Sequence, residues 1–278
     1  MIKGTPLHEI MHLPFYWQKV LQVKRAAFDE SKIAFGPHPH QYFLLLKPAG
    51  SEIPKGLMMY FHGGGWRFGH PGKFRANAAV FLGEGFWVVL PTYRRIPFFN
   101  YLHMREDISL AFKKVLELVR NKKMDGLPLL VGGMSAGGNL GPHLYYNENE
   151  LNKIGSTQPE ISGLFLCGAP LDLALMRPSV VLQRFAGARD GTLFKLANPV
   201  NYLPPAHPAP ALIIQGKHDG LVEYQGAVAF VEKLEYYQKS GVDFHLLDGA
   251  THLDTVRWVY EEGRERTLIK NWLKNFKL

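Results

Sequence analysis

Short apolar segments alternate with amphipathic ones along most of the chain, and this alternation restricts the fold more than any other feature. We predict strands over residues 41–46, 56–61, 86–90, 127–131, 161–166, 211–215 and 243–247. We predict helices over 74–82, 105–119, 137–147, 224–237 and 254–276. Strands that alternate with helices form a largely parallel sheet covered by helices on both faces. The predicted fold class is therefore α/β.

Two segments interrupt this rhythm. Residues 1–32 are rich in aromatic side chains, and we expect a helical segment that packs on the body or covers the entrance of a site. Residues 172–207 carry many prolines and glycines and are interpreted as an irregular, cap-like insertion between two strands. A chain of 278 residues is compatible with one large domain, so we expect a single domain over 1–278.

The composition is that of a globular protein, with 46% hydrophobic and 20% charged residues, which excludes disordered and fibrous classes. The net charge of +8 suggests nucleic acid or a membrane surface as a possible partner, because basic surfaces attract both. However, the basic residues are spread over many segments, and solvated helix faces explain them, so neither partner is expected. No apolar run reaches the roughly 18 residues of a membrane-spanning helix. A homodimer is left open.

Cys167 is the only cysteine, which excludes an intramolecular disulfide. It lies in an apolar run, where a cysteine usually serves as a small buried hydrophobic residue. The first residues show no uninterrupted apolar stretch typical of a secretory signal. Both observations favour a cytoplasmic protein.

The strongest chemical signal is an apolar strand that runs into Gly-Met-Ser-Ala-Gly at 133–137 and then into a helix. This is the setting of a nucleophile elbow, in which a strained turn exposes a serine. The flanking residues must be small because larger ones would collide with the neighbouring strand and helix. Ser135 is therefore the predicted nucleophile, and the amide of Ala136 can donate to an oxyanion.

A second signal is His-Gly-Gly-Gly-Trp at 62–66, directly after an apolar strand. Three consecutive glycines indicate a loop whose backbone approaches a ligand closely. We predict that the amides of Gly64 and Gly65 complete an oxyanion hole with that of Ala136. A tight glycine turn capped by the histidine is the structural alternative.

A serine hydroxyl needs a base, and a carboxylate usually orients that base. Asp219 follows the strand at 211–215, and His252 follows the strand at 243–247. The carboxyl ends of parallel strands meet at one edge of a sheet, where such folds build their sites. Ser135, Asp219 and His252 occur in the chain order of an α/β-hydrolase triad.

Other residues could share these roles. His218 adjoins Asp219 and is interpreted as part of the loop, because it can hardly bridge its own neighbour to the serine. Asp248 remains an alternative acid, although its closeness to His252 in sequence favours local turn bonding. Three further histidines have no obvious catalytic partner: His103, His143 and His245.

No metal or cofactor is implied. His12, His38 and His40 have no spacing typical of metal ligands, and no His-Glu-x-x-His motif occurs.

From residue 33 onward the sequence resembles the esterase and lipase branch of the α/β-hydrolase superfamily, in particular the hormone-sensitive-lipase-like esterases and the related BD-FAE and kynurenine formamidase group. The His-Gly-Gly-Gly at 62–65 matches the lipase-branch loop, and with Trp66 it also fits the His-Gly-Gly-x-Trp form of kynurenine formamidases. Pro-Thr-Tyr-Arg at 91–94 and Ile-Ala-Phe-Gly-Pro at 33–37 are similar to further family segments. Met134 stands where many lipase-branch members carry aspartate.

The resemblance implies a serine carboxylesterase that forms an acyl-enzyme. The short cap argues against large lipids and favours small esters with short-chain or aromatic groups. The aromatic residues predicted to contact the substrate are Trp66, Phe98, Phe99 and Tyr101, with Phe185 as a further candidate.

Three other functions remain open at this stage. An arylformamidase that cleaves N-formylkynurenine is suggested by Trp66 after the glycines. A hydrolase-fold protein that only binds its ligand is the non-catalytic alternative. A protein of nucleic acid or membrane surfaces would show salt-dependent binding without esterase activity.

Overall fold

The computed structural model describes residues 2–23, 27–50, 53–122, 124–157, 160–203, 209–237 and 241–276. Its strands are β1 (Phe28–Ala34), β2 (Tyr42–Pro48), β3 (Leu57–Phe61), β4 (Trp87–Pro91), β5 (Leu129–Met134), β6 (Gly163–Cys167), β7 (Ala211–Gly216) and β8 (Val242–Leu247). Its α-helices are α1 (Pro6–Gln22), α2 (Arg75–Gly83), α3 (Tyr101–Asn121), α4 (Ala136–Tyr146), α5 (Glu148–Lys153), α6 (Val180–Ala186), α7 (Thr192–Ala197), α8 (Tyr224–Tyr237), α9 (His252–Thr255) and α10 (Arg264–Leu273).

The described strands form one eight-stranded sheet in the order β1-β2-β4-β3-β5-β6-β7-β8. Strands β3 to β8 run parallel to one another, while β2 is antiparallel to both β1 and β4. Every residue of β3 to β7 is buried, as expected for parallel strands with helices on both faces. The predicted α/β class, with a mostly parallel sheet, is confirmed.

Two hydrophobic cores lie on opposite faces of this sheet, and the alternation of side chains along each strand divides the residues between them. In β3, Leu57, Met59 and Phe61 join the core formed with α3, α4 and α8. Met58 and Tyr60 join the core formed with α1, α2 and α10. This period of two is the one that a strand imposes. None of the described helices is both long and apolar enough to cross a membrane.

The strand order changes direction at β3, which lies between β4 and β5. From β3 the chain first moves outward to β4 and then returns to the other side of β3 to form β5. Phe61 at the end of β3 is paired with Gly133 near the end of β5. The loops that follow these two strands therefore leave the sheet side by side, at the kind of switch point where open α/β sheets bind ligands.

The N-terminal segment is only partly helical. Helix α1 ends at Gln22, and Phe28–Ala34 forms strand β1, so the prediction of a helical segment through residue 32 is wrong. The sequence Phe-Asp-Glu-Ser-Lys-Ile-Ala lacks the apolar alternation of a strand because β1 lies at the edge of the sheet and is largely exposed. Charged side chains on such edges prevent unwanted pairing with other strands.

Two further predictions need correction. The predicted helix 254–276 is broken into α9, a short 3₁₀ helix at Arg257–Val259 and α10, and the extended backbone of Gly263 separates α10 from the segment before it. The insertion 172–207 is largely helical rather than irregular, with α6, α7 and two 3₁₀ turns. Its residues 204–207 lie outside the described residues.

A buried carboxylate fixes the segment that follows β4. Asp107 on α3 is fully buried and accepts hydrogen bonds from the backbone and side chain of Arg94. It also accepts a bond of 2.8 Å from Gln41 Nε2, just before β2. Tyr93, next to Arg94, donates its hydroxyl to the carbonyl of His62. This network connects the β4 exit to the loop after β3.

We expect Asp107→Ala to lower the free energy of unfolding by about 3–5 kcal/mol, because Arg94 and Gln41 would lose their buried partner. Urea unfolding followed by circular dichroism measures this change. The matched control is Asp125→Ala, since Asp125 is exposed and its removal should leave the unfolding midpoint nearly unchanged. Equal midpoints for the two variants would contradict the assigned role of Asp107.

Candidate active site

Ser135 occupies the turn between β5 and α4. Its backbone has φ 52° and ψ −129°, a conformation that costs energy for a residue with a side chain. The amide of Ser135 donates to the carbonyl of Cys167 on β6 at 2.8 Å, and Asn139 donates to the carbonyl of Ser135. The turn is thus held from both sides, as the predicted nucleophile elbow requires.

The glycines on either side of Ser135 permit this turn. A Cβ at Gly133 would lie 2.2 Å from the carbonyl oxygen of Phe61 in β3, and one at Gly137 would lie 2.1 Å from the same oxygen. Both distances are far below van der Waals contact. The small residues of the motif are therefore required by the close packing of the turn against β3.

His252 is the first residue of α9, in the loop after β8. Its Nε2 lies 3.0 Å from Ser135 Oγ, and its Nδ1 lies 2.6 Å from Asp219 Oδ2. A carboxylate only accepts hydrogen bonds, so Nδ1 of the neutral ring carries the proton. Nε2 is then free to accept from the Ser135 hydroxyl. The structure thus brings the three predicted residues together in one hydrogen-bonded chain.

Asp219 lies in the loop after β7 and its side chain is fully buried. Its Oδ1 accepts from the amides of Leu221 and Val222 at 2.9 and 2.8 Å. Its Oδ2 also accepts from Gln215 Nε2 at 3.1 Å. Among the described residues, these donors satisfy the carboxylate without a cation and hold it toward His252.

The surroundings of His252 act on its pKa in opposite directions. Burial of the ring lowers the pKa, whereas the charge and hydrogen bond of Asp219 and the charge of Glu9 raise it. The net result is a pKa above the ordinary histidine value. His252 therefore takes up a proton more readily than a free imidazole.

The loop at 62–66 lies beside Ser135. A Cβ at Gly63 would come within 3.2 Å of Ser135 Cβ. Gly64, Gly65 and Trp66 all have positive φ, at 123°, 58° and 55°. The carbonyl of Gly64 accepts from the amides of residues 67 and 68, three and four positions further along the chain. This left-handed course directs the glycine backbone past the serine.

His62 anchors the start of this loop. Its ring is buried and stacks on Tyr93 at 4.6 Å and on Phe74 at 5.2 Å. Its Nδ1 donates to the carbonyl of Gly63 at 2.8 Å. Burial lowers the pKa of His62 to about 3, so the ring stays neutral. The histidine of the motif thus supports the loop rather than supplying charge.

Three backbone amides remain as candidates for an oxyanion hole. Ala136 begins α4, and the first amides of a helix have no acceptor within the helix. Within the described residues, the amides of Gly64 and Gly65 have no protein acceptor either. Donors without partners next to a nucleophilic serine can stabilise negative charge on a tetrahedral intermediate.

The family model named BD-FAE matches residues 45–234, about two thirds of the sequence. The chain belongs to the BD-FAE family. The matched region runs from β2 into α8 and contains Ser135, Asp219 and the 62–66 loop, while His252 lies beyond it. Among curated proteins, none matches the sequence significantly.

Solved structures share the fold of this BD-FAE family member at low sequence identity. A truncated carbohydrate esterase from gut microbiota is 14% identical, with a TM-score of 0.77 over 91% of this chain and 98% of that one. Esterase B from Lactobacillus rhamnosis with a tributyrin phosphonate is 16% identical, with a TM-score of 0.80 over 97% and 92%. Carboxyl esterase 2 from Tuber melanosporum is 20% identical, with a TM-score of 0.74 over 92% and 89%.

Among the aromatic residues predicted to contact substrate, Trp66, Tyr101 and Phe185 pack together, whereas Phe98 and Phe99 do not join them. Trp66 is buried and stacks on Phe185 at 4.0 Å. Tyr101 is also buried against Phe185, and its hydroxyl is bonded to a buried histidine. Phe98 is 87% exposed, and Phe99 packs near the Arg94 guanidinium. Their contacts with substrate stay a prediction.

The alternative acid and the remaining histidines lie apart from the serine. The Asp248 side chain is 86% exposed and pairs with Lys217, so it does not orient His252. His245 lies beside Asp243 on β8. His143 is buried between Tyr101 and Ala197, and its pKa is lowered to about 3 by burial. His103 caps α3, and His218 contributes its backbone to the loop.

Two residues near the site were missed by the sequence reasoning. Gln215 binds Asp219 from the end of β7, and Glu9 of α1 binds the backbone of the loops that carry Asp219 and His252. The sequence contains an indication that Glu9 is buried, because Glu9 shares a face of helix α1 with Tyr16 and Val20, which are also buried. A carboxylate on a buried helix face indicates a specific partner.

We expect Gly137→Ala to lower the free energy of unfolding by about 1–3 kcal/mol, because its methyl group must displace the Phe61 carbonyl. Gly83→Ala is the matched control, since a Cβ there at the end of α2 meets nothing within 4 Å. Alanine should stabilise that helix by up to about 1 kcal/mol. Chemical denaturation of both variants measures the difference, and equal stabilities would refute the proposed tight packing of the turn.

Proposed function

We propose that this BD-FAE family member is a serine carboxylesterase with Ser135 as nucleophile, His252 as general base and Asp219 as the residue that orients the base. The observation that carries the proposal is the hydrogen-bond chain from Asp219 through His252 to Ser135, with contacts of 2.6 and 3.0 Å. This hydrogen-bond chain ends at Ser135, which is held in a strained turn at the carboxyl edge of the sheet. A serine activated in this way performs acyl transfer.

In the proposed reaction, Ser135 Oγ attacks the carbonyl carbon of the ester while His252 Nε2 takes the hydroxyl proton. The tetrahedral intermediate collapses with cleavage of the ester C–O bond, and His252 returns the proton to the departing alcohol. Water then attacks the acyl-serine, again with His252 as base, and releases the acid. Asp219 stabilises the imidazolium formed in each half of the reaction.

The amides of Gly64, Gly65 and Ala136 are proposed to bind the oxyanion. Their support is the position of the glycine loop against Ser135 and the lack of protein acceptors for the two glycine amides within the described residues. Each donor of this kind contributes about 3 kcal/mol to transition-state stabilisation.

The substrates are proposed to be small esters, with short-chain or aromatic acyl groups. Helix α6 of the 172–207 insertion lies over the glycine loop, where Val181 Cγ1 is 3.9 Å from the position of a Cβ on Gly65. This contact places an apolar side chain of the insertion beside the proposed oxyanion hole. The similar fold of Esterase B, solved with a tributyrin phosphonate, supports a short acyl group.

We also propose that residues 1–278 act as one domain, since the proposed catalytic residues follow β5, β7 and β8 of a single sheet. Residues 172–203 of the insertion would cover the site as a small cap, whereas Phe28–Ala34 of the 1–32 segment belongs to the sheet as β1. Cys167 is buried and its pKa is raised to about 12, so its thiol is unreactive. Cytoplasmic residence and a homodimer stay predictions.

A fluorophosphonate probe tests the nucleophile. The parent protein should be labelled covalently and should hydrolyse p-nitrophenyl acetate, whereas Ser135→Ala should lose both properties. Ser31→Ala serves as the control because Ser31 is exposed on the edge strand β1. Labelling that persists in Ser135→Ala at the parental level would reject Ser135 as the nucleophile.

The pH dependence tests the base. Asp219 and Glu9 raise the pKa of His252 above the ordinary histidine value. At a pH below this raised pKa, the ring is protonated and cannot accept the serine proton. The kcat/KM for p-nitrophenyl acetate should therefore rise with pH, with a midpoint above about 6.5. A flat profile between about pH 5 and about pH 8 would argue against a histidine base.

A substrate panel separates esterase from arylformamidase activity. The panel contains p-nitrophenyl esters of increasing acyl length and N-formylkynurenine, all assayed with the parent protein and Ser135→Ala. We expect the highest kcat/KM for short acyl esters. Faster Ser135-dependent turnover of N-formylkynurenine would instead assign an arylformamidase, and no turnover of any compound would favour a binding protein.

A further inference from the structure

Helix α1 brings a carboxylate into the interior of the protein. Glu9 is only 1% exposed, although glutamate is almost never fully buried without a partner. Its Oε1 accepts from the amide of His252 at 2.8 Å and from the amide of Gly220 at 3.2 Å. Its Oε2 accepts from the amide of Leu253 at 3.3 Å. One side chain thus binds both loops that carry the proposed acid and base.

Backbone amides alone satisfy this carboxylate within the described residues, since none of their lysines or arginines forms an ion pair with it. The amides of His252 and Leu253 begin α9 and have no acceptor inside that helix. The N-terminal chain also packs tightly here, because a Cβ at Gly220 would lie 2.6 Å from the carbonyl carbon of Thr5. The contact is therefore a close fit between α1 and the two loops.

We propose that Glu9 is a positioning residue of the active site, which clamps the loop of Asp219 to the loop of His252 and places a second negative charge near the imidazole. The inference rests on the proposed function, and it makes α1 a part of the catalytic structure rather than a removable cover. Gly220 directly follows Asp219, and His252 is itself the proposed base. A change in the position of either amide moves a catalytic side chain.

The charge of Glu9 acts on His252 together with several other groups. Asp219 faces the ring from the loop after β7 and Ser135 faces it from the turn after β5. Gly168, which has no side chain, lies next to the ring at the end of β6. On its own helix, Asp254 carries a charge that Lys3 and Arg257 balance. Both Asp219 and Glu9 raise the pKa of His252, so loss of the Glu9 charge should lower that pKa.

The test uses the full-length protein and three substitutions of Glu9. Glu9→Gln keeps the size of the side chain and removes the charge. Glu9→Asp keeps the charge and shortens the reach, and Glu9→Ala removes the clamp. Val20→Ala is the matched control, because Val20 is buried on the same helix and its truncation weakens the packing of α1 without touching the loops.

We expect kcat for p-nitrophenyl acetate to fall on the order of tenfold in Glu9→Gln and further in Glu9→Ala, because the acid and base lose their alignment. KM should change by less than about twofold. The acidic limb of the pH profile should move to lower pH in Glu9→Gln and stay near the parental position in Glu9→Asp. Val20→Ala should lower Tm and leave the acidic limb unchanged.

Titration of the His252 ring by NMR gives a readout that does not need turnover, with the resonance assigned by its loss in His252→Gln. Glu9→Gln should titrate at lower pH than the parent and Val20→Ala at the same pH. If the parent hydrolyses nothing, the proposed function fails while this titration still tests Glu9. If Glu9→Gln does not fold, the test uses Glu9→Asp, and a parental kcat in that variant would contradict the proposed positioning role of Glu9.

Two results would overturn the proposal outright. One is a Glu9→Gln protein with parental Tm, kcat and His252 titration. The other is a Val20→Ala protein that shows the same loss of kcat and the same shift of the acidic limb as Glu9→Gln, because Glu9 would then only hold α1 in place.

Discussion

The contact between the turn after β5 and the end of β3 is the constraint on which the site depends. Gly133 and Gly137 both lie against the carbonyl oxygen of Phe61, so the turn that carries Ser135 and the strand that leads into the glycine loop are packed without room for a side chain. The reversal of strand order at β3 makes this contact possible, because it places β3 and β5 next to each other and in register. A turn packed this tightly cannot relax easily, which keeps Ser135 in its left-handed conformation. The proposed nucleophile and the proposed oxyanion donors are thereby fixed relative to each other by backbone contacts.

The position of the base depends on a further kind of interaction. His252 follows β8, which is three strands away from β5 in the sheet. Its loop is also tightly packed, since a Cβ at Gly216 in β7 would lie 2.6 Å from the carbonyl oxygen of Ala250. In addition, buried hydrogen bonds hold His252, with Asp219 on its ring and Glu9 on its backbone amide. Hydrogen bonds to charged acceptors are stronger and shorter than neutral ones, and they are strengthened further away from water. On the side of the base, buried charge therefore adds to the steric packing that organises the turn of Ser135.

This difference explains how much could be predicted from the sequence. The strands β2 to β8, most helices and the placement of Ser135, Asp219 and His252 at one edge follow from local patterns, because apolar runs and glycine motifs reflect burial and backbone contacts near in sequence. Strand β1 was missed because its side chains face solvent at an edge and carry no apolar period. The break before α10 was missed because only a single extended glycine, Gly263, marks it. Glu9 was missed because its partners lie 211 and 243 residues away in sequence, so the pattern of α1 indicates a buried carboxylate but not the groups that bind it.

The way in which the buried carboxylates are satisfied has a consequence for the chemistry of the site. Asp107, which supports the loop after β4, is paired with Arg94, so its charge is largely cancelled. Asp219 accepts from two backbone amides and the Gln215 amide, and Glu9 accepts from backbone amides, with no cation paired to either among the described residues. Amides satisfy the hydrogen-bonding capacity of a carboxylate but leave its net charge in place. Two uncancelled negative charges therefore remain close to His252, where burial alone would disfavour the imidazolium. An ion pair at either position would stabilise the loops equally well but would remove the field that the protonated base requires. The use of amides in place of cations thus allows the same contacts to hold the loops and to stabilise the charge that forms on His252 during acyl transfer.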